Sequence, residues 1–203
     1  MIRSYLFTPA HRPELIARAH ERCADAILLD LEDSVPRDQK QAARDGLAEA
    51  VSVLTARAVP VVIRVNADLG ECVRDLDAAI QPGVDAIMLP KVIGADHLRL
   101  VTDYLLMLER QAKLPEGQIK LIALIETAQG LMNAASIAKA TPRLTALAFG
   151  TEDFSTDCGH APSVEALKGP AQSLIHAAKA GGLKAIGLPG SIAEIHDMDS
   201  FRS

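Results

Sequence analysis

Two acids stand out for their setting. Glu126 closes the apolar run LIALIE, and Asp153 follows another in ALAFGTED. Neighbouring strands lie about 4.8 Å apart, so carboxylates leaving two adjacent strands at the same end can reach one cation. Hard oxygen donors, with no His or Cys in the same runs, favour Mg²⁺ or Mn²⁺ over Zn²⁺. Two carboxylates also leave coordination positions for water and a bidentate substrate. The structural alternative is that one of the acids caps the following helix, and Glu126 before Thr127 is placed to do so. Arg64 ends the apolar run PVVIR. A guanidinium there needs anions, because burying it unpaired is costly. Two readings stay open: an ion pair with Asp30 or Glu32, or a planar fork on a substrate carboxylate or carbonyl.

The run LDLEDSV brings Asp30, Glu32 and Asp33 to one strand end. Strand alternation sends Asp30 and Glu32 to one face and Leu31 and Asp33 to the other. Asp30 and Glu32 form the substrate-side pair, and at least one of the three acids is structural. Lys91 in MLPK has no sequence neighbour that would lower its pKa for Schiff-base chemistry, so a salt bridge or phosphate contact is expected. In TPAHRP, His11 and Arg12 either meet a phosphorylated ligand or belong to a solvated loop. His20, His97, His160, His176 and His196 show no metal-ligand spacing.

The elements that must position these residues alternate along the chain. Continuous apolar runs at 4–7, 26–31, 60–65, 85–89, 120–125, 145–149 and 184–188 suit strands buried on both faces. Helix candidates lie at 13–22, 38–54, 95–110, 128–140 and 163–180, while 68–81 reads as a loop with a short helix. Pro13 suits a helix start, and Gly181 and Gly182 suit a helix end. ADAILL at 24–29 is echoed by VDAIML at 84–89. Such alternation forces parallel pairing with helices outside. No GxGxxG follows the first strand, whereas polar residues follow almost every strand, as in a barrel with its site at one rim. The expected fold is a parallel (β/α)8-type TIM barrel, one domain over 1–203, lacking the eighth strand and a C-terminal cap. PGSIAEIHDMDSFRS reads as a loop and the start of a helix.

Composition narrows the function classes. The 203 residues are 49% hydrophobic and carry a formal net charge of −5, which suits a globular chain and argues against nucleic acid as a partner. No apolar stretch approaches the roughly 18–20 residues of a membrane span, and the N-terminal apolar stretch is too short for a signal peptide. Cys23, Cys72 and Cys158 have no CxxC spacing and read as inert thiols in a reducing cytosol, so a cytoplasmic location is expected.

Taken in order, RSYLFTPAHRP, ADAILLDLEDSV, VVIRVN, AIMLPK, LIALIETAQG and FGTEDFSTDCG resemble the citrate lyase β-subunit (HpcH/HpaI aldolase) family over essentially the whole chain. That group includes malyl-, citramalyl- and citryl-CoA lyases and class II pyruvate aldolases. The resemblance implies a Mg²⁺-dependent carbon–carbon lyase, oligomeric and often trimeric, with a CoA thioester as substrate. It implies that Arg64 binds the oxo-acid end of the substrate and that Glu126 and Asp153 bind the metal. It puts the loop from Thr8 to Arg12, with Pro9, beside the CoA. Expected products are acetyl-CoA and a 2-oxo acid. The rival readings are an aldolase acting on free hydroxy-oxo acids and a non-catalytic binding or assembly subunit. The chain departs from the family pattern at Gln172 and Ser173, where relatives carry arginines, and at 185–188, where many carry AIDGP. Relatives also continue into an eighth strand and a cap that holds the acid or base. Open edges beside the first and seventh strands predict self-association.

Overall fold

The computed structural model describes residues 2–187 and 191. Among them, seven strands form one sheet in chain order, β1 to β7, and the fold is of the parallel β/α-barrel class. The elements run β1 (Tyr5–Pro9), α1 (Pro13–Ala19), β2 (Ala26–Asp30), α2 (Lys40–Asp45), α3 (Leu47–Thr55), β3 (Val61–Arg64), α4 (Leu69–Ala79), β4 (Ala86–Leu89), α5 (Ala95–Gln111), β5 (Lys120–Ile125), α6 (Ala128–Met132), α7 (Ala134–Ile137), β6 (Leu144–Phe149), α8 (Thr151–Cys158), α9 (Val164–Ala180) and β7 (Lys184–Ile186). No helix among the described residues is long and apolar enough to cross a membrane. The expected extension of the last strand to Leu188, and the loop and helix start in 189–203 with His196, fall outside the described residues apart from Ser191.

The chain gathers into two compact units. The first comprises Met1–Pro90 with Val101–Leu121. Its strands β2, β3 and β4 are buried at every residue, as continuous apolar runs demand when both faces are covered. The register sets Pro9 opposite Asp30, Asp30 opposite Arg64 and Arg64 opposite Met88, so three candidate residues share one row at the carboxyl ends. The echoed stretches become the entries to β2 and β4. Each follows a residue with left-handed backbone, Cys23 (φ 57°) and Gly83 (φ 93°).

Two helices of this unit differ from expectation. The single helix expected over 38–54 is a 3-10 turn (Arg37–Gln39) followed by α2 and α3, divided at Gly46. Glycine is a weak helix former, and here it marks the break. Segment 68–81 is instead a full helix, α4. Asp68 accepts a hydrogen bond from Glu71 N as its N-cap, and the buried stripe is Cys72, Asp75, Leu76 and Ala79. That stripe hides in the sequence because a charged residue occupies it. Asp75 is fully buried and accepts from Arg44 Nη1 at 2.9 Å, Asn66 N at 2.8 Å and Asn66 Nδ2 at 2.6 Å. Those donors offset its desolvation.

The second unit comprises Lys91–Leu100 with Ile122–Ser203. Its core includes Leu98, Ile122, Ile125, Ile137, Leu147, Leu167 and Leu174. Gly150 N bonds Ile125 O at 3.0 Å, and Val92 N bonds Leu124 O at 3.2 Å. β6 pairs with β7 from Ala146 opposite Lys184 to Ala148 opposite Ile186. The helix expected over 128–140 is divided at Asn133 into α6 and α7. Helix α8 was not expected. It buries only Thr151, Phe154 and Ser155, and ends at Gly159 with φ 74°, so its sequence looks like a polar loop.

Candidate functional site

In the second unit, Glu126 directly follows β5 and is 4% exposed. Its Oε2 accepts the backbone N–H of Lys91 at 2.9 Å. Against its other side lies Gly150, the residue after β6. A Cβ built there would stand 2.5 Å from Glu126 Cγ and 2.6 Å from Oε1. Thr127, not Glu126, caps α6, accepting from Gly130 N at 3.0 Å. Asp157 Oδ2 accepts from Ala128 N at 2.8 Å, which fixes the chain just beyond. The capping alternative for Glu126 is thereby closed.

Asp153 lies in the first turn of α8, where the helix dipole favours an acid. Its Oδ2 pairs with Lys91 Nζ at 2.9 Å, the two side chains being 43% (Lys91) and 42% (Asp153) exposed. The salt bridge expected of Lys91 is therefore present. One lysine reaches both acids, through its backbone to Glu126 and its ammonium to Asp153. Beside Asp153, Glu152 Oε1 accepts from Ser191 Oγ at 2.6 Å.

These donors suit a small divalent cation. Both are carboxylates, and both already meet donors of Lys91, Glu126 the backbone N–H and Asp153 the ammonium. Among the described residues no group of three or more His, Cys, Asp or Glu could hold a metal ion. Mg²⁺ is commonly held by one or two carboxylates and keeps water and substrate at its other positions.

The first unit holds the other candidates. Arg64 is 8% exposed and surrounded by acids. Nε and Nη2 meet the two oxygens of Asp30 at 2.7 and 2.8 Å, and Nη1 meets Glu32 at 2.9 Å and Asp33 at 3.3 Å. The guanidinium also lies over the Phe7 ring, 5.2 Å from its centroid. All three acids converge, whereas alternation had separated Asp33 from the others. Strand β2 stops at Asp30, and in the turn beyond it the period of two no longer applies.

Asp30 itself organises that turn. It accepts from Glu32 N, Ser34 N and Ser34 Oγ as well as from Arg64. Burial works to raise its pKa, but the Arg64 and Ser34 hydrogen bonds bring it below the ordinary carboxylate value. Lys40 Nζ caps the carbonyls of Leu31 and Glu32, both at 2.6 Å. Pro9 ends β1 beside Asp30. Arg12 pairs with Glu14 at the surface, and His11 is half-buried at the head of α1.

Gly150 and the backbone of Lys91 were not singled out from the sequence. The available signal was a glycine between a buried strand and two acids, at the point where the strand meets the next helix.

A parallel β/α sheet in chain order defines a protein of the β/α-barrel class. The chain belongs to the HpcH/HpaI aldolase/citrate lyase family, whose pattern matches residues 3–202. It is 32% identical to the citrate lyase subunit beta of Leuconostoc mesenteroides subsp. cremoris over 90% of its own length and 62% of that protein's. It is 35% identical to the malyl-CoA/beta-methylmalyl-CoA/citramalyl-CoA lyase of Chloroflexus aurantiacus, over 75% of this chain and 45% of that one. It is 36% identical to a (3S)-malyl-CoA thioesterase of Cereibacter sphaeroides (strain ATCC 17029), over 89% and 60%. The chain thus spans less than two thirds of the length of these curated relatives. Among solved structures, RipC from Yersinia pestis superposes with a TM-score of 0.77 at 32% identity, covering 100% of this chain and 81% of that one. Protein CitE from Mycobacterium tuberculosis, in complex with magnesium, acetoacetate and coenzyme A, gives 0.72 at 30% identity, covering 98% and 68%.

Proposed function

We propose that this chain carries a Mg²⁺-dependent carbon–carbon lyase centre, with Mn²⁺ as a substitute ion. The substrate would be a 3-hydroxyacyl-CoA of the citryl-, malyl- or citramalyl-CoA type. The products would be acetyl-CoA and a 2-oxo acid. The observation that carries this reading is the pair Glu126 and Asp153, both held on Lys91, in a chain of this family. The CitE structure with magnesium and coenzyme A supports it.

In this reading Glu126 and Asp153 hold the cation. When bound, the cation supplies Lewis acidity toward the hydroxyl and carboxylate oxygens of the substrate. Arg64 would turn the Nη1 and Nη2 edge of its guanidinium to the oxo-acid end, while Asp30 and Glu32, on the substrate side, hold that guanidinium in place. Pro9 and Arg12, with Thr8 and His11, flank the CoA. The hydroxyl proton passes to a base and the bond between C2 and C3 breaks. The electron pair leaves on the acetyl-CoA fragment, which takes up a proton at carbon. The same reading treats residues 1–203 as one barrel domain of a cytoplasmic homo-oligomer, a trimer by expectation, with no nucleic-acid or membrane partner. Light scattering tests the assembly.

A second reading has a specific observation behind it, the 36% identity to a malyl-CoA thioesterase. Incubation with Mg²⁺ and citryl-, malyl- or citramalyl-CoA, followed by mass spectrometry of the products, separates the two. Acetyl-CoA with a 2-oxo acid is the expected outcome. Free CoA with an intact hydroxy acid would make the chain a thioesterase. Inert thioesters together with cleavage of free hydroxy-oxo acids would make it an aldolase.

A further inference from the structure

Among the described residues, four non-glycine residues have left-handed backbone: Cys23, Ala58, Lys91 and Lys113. Cys23 follows a 3-10 helix, Ala58 follows α3 and Lys113 follows α5, places where a left-handed residue commonly ends a helix. Lys91 is different. It follows strand β4, with φ 50°, and no helix precedes it. A left-handed non-glycine residue costs roughly 1–2 kcal/mol, so something must hold it there. What holds it is specific. Its N–H is spent on Glu126 Oε2 at 2.9 Å. The chain just beyond is clamped by Asn133 Nδ2 on Ile93 O at 2.8 Å. Gly130 packs so closely on Val92 O that a Cβ there would come within 2.5 Å.

The side chain of Lys91 then crosses to Asp153, with Nζ to Oδ2 at 2.9 Å. Both partners are more than two-fifths exposed, so the pair is held loosely and its ammonium can leave at small cost. We propose that Lys91 is the positioning residue of the Glu126–Asp153 pair, and that its ammonium competes with a divalent cation for Asp153. This rests on the metal reading given above. The backbone contact keeps Glu126 in place whether or not a cation is present. The ammonium neutralises Asp153 in the cation-free protein and must give way when a cation binds.

The test is Mn²⁺ binding to substrate-free protein at low ionic strength, followed by calorimetry and by the electron paramagnetic resonance of free Mn²⁺. Lys91→Met removes the competitor while its backbone N–H stays available to Glu126. The expected result is tighter binding, by about fivefold for a part-exposed pair near the upper end of its range. Lys91→Arg should stay close to the wild type. In an Asp153→Asn background the Lys91→Met gain should vanish, because the two residues act through one contact. Equal or weaker binding by Lys91→Met overturns the role given to Lys91, as does a gain that persists without the Asp153 carboxylate. A wild type that binds no Mn²⁺ removes the metal reading itself, and this inference with it.

Discussion

Gly150 and Glu126 occupy each other's space: the Glu126 carboxylate fills the place where a side chain on residue 150 would stand. The backbone of Gly150 (φ −93°, ψ 92°) is open to any residue, so conformational freedom is not what requires glycine here. The requirement is room for Glu126. Gly150→Ala should displace that carboxylate while leaving the fold intact. Overpacking of this kind costs about 1–3 kcal/mol, and if it falls on the bound position of Glu126, Mn²⁺ affinity drops by about tenfold or more. Gly169→Ala, whose added Cβ would meet no atom of the described residues within 4 Å, is the control and should bind as the wild type does. Equal binding by both variants would show that Glu126 does not hold the cation.

Glu126→Gln and Asp153→Asn separate charge from shape. Each keeps the size of the side chain and removes a hard anionic donor. Both should abolish Mg²⁺-dependent turnover of the thioester with little change in the melting temperature. Wild-type activity in either variant at low Mg²⁺ would show that its carboxylate is not a ligand.

Cys72 lies in the buried stripe of α4, and burial, helped by Asp75 and Asp68, pushes its thiol up to about 11. The reacting species is the thiolate, so Cys72 should resist iodoacetamide near pH 8. Cys23 and Cys158 are exposed and should both be modified. Mass spectrometry should find two labels on the native protein and three after denaturation. Three on the native protein would mean that α4 opens readily.

Strand positions were legible because runs such as AILLD and VVIR are apolar throughout, a pattern that parallel strands buried on both faces impose. The positions of Glu126, directly after β5, and of Asp153, in the first turn of the helix after β6, were legible for a related reason, as acids just past such runs. The failures come from residues whose partners are distant in sequence. Asp75 broke the apolar stripe of α4 because its burial depends on Arg44, 31 residues away. Helix α8 was hidden because it buries so little of itself. The role of Gly150 exists only once β5 and β6 are side by side. The left-handed turn at Lys91 has no local signature, since Pro-Lys-Val carries none of the residues that favour positive φ.

The Arg64–Asp30 pair gives the last prediction, because it separates stability from chemistry. Asp30 has a pKa below its ordinary 3.8 in the folded protein. A depressed carboxylate stabilises the fold above its unfolded value and loses that contribution as pH falls through the folded value. The melting temperature should therefore fall as pH drops below about 4, and Asp30→Asn should flatten that part of the profile. Arg64 stays charged throughout this range and adds no slope of its own. Arg64→Lys keeps the charge but loses the two-pronged contact with Asp30, in which Nε and Nη2 each take one oxygen. If the fork also serves the substrate, turnover should fall by about 10²-fold, as when one donor to developing charge is removed. Loss of stability with intact kinetics would confine Arg64 to the ion pair. Loss of turnover with near-normal melting at pH 7 would assign it to the substrate.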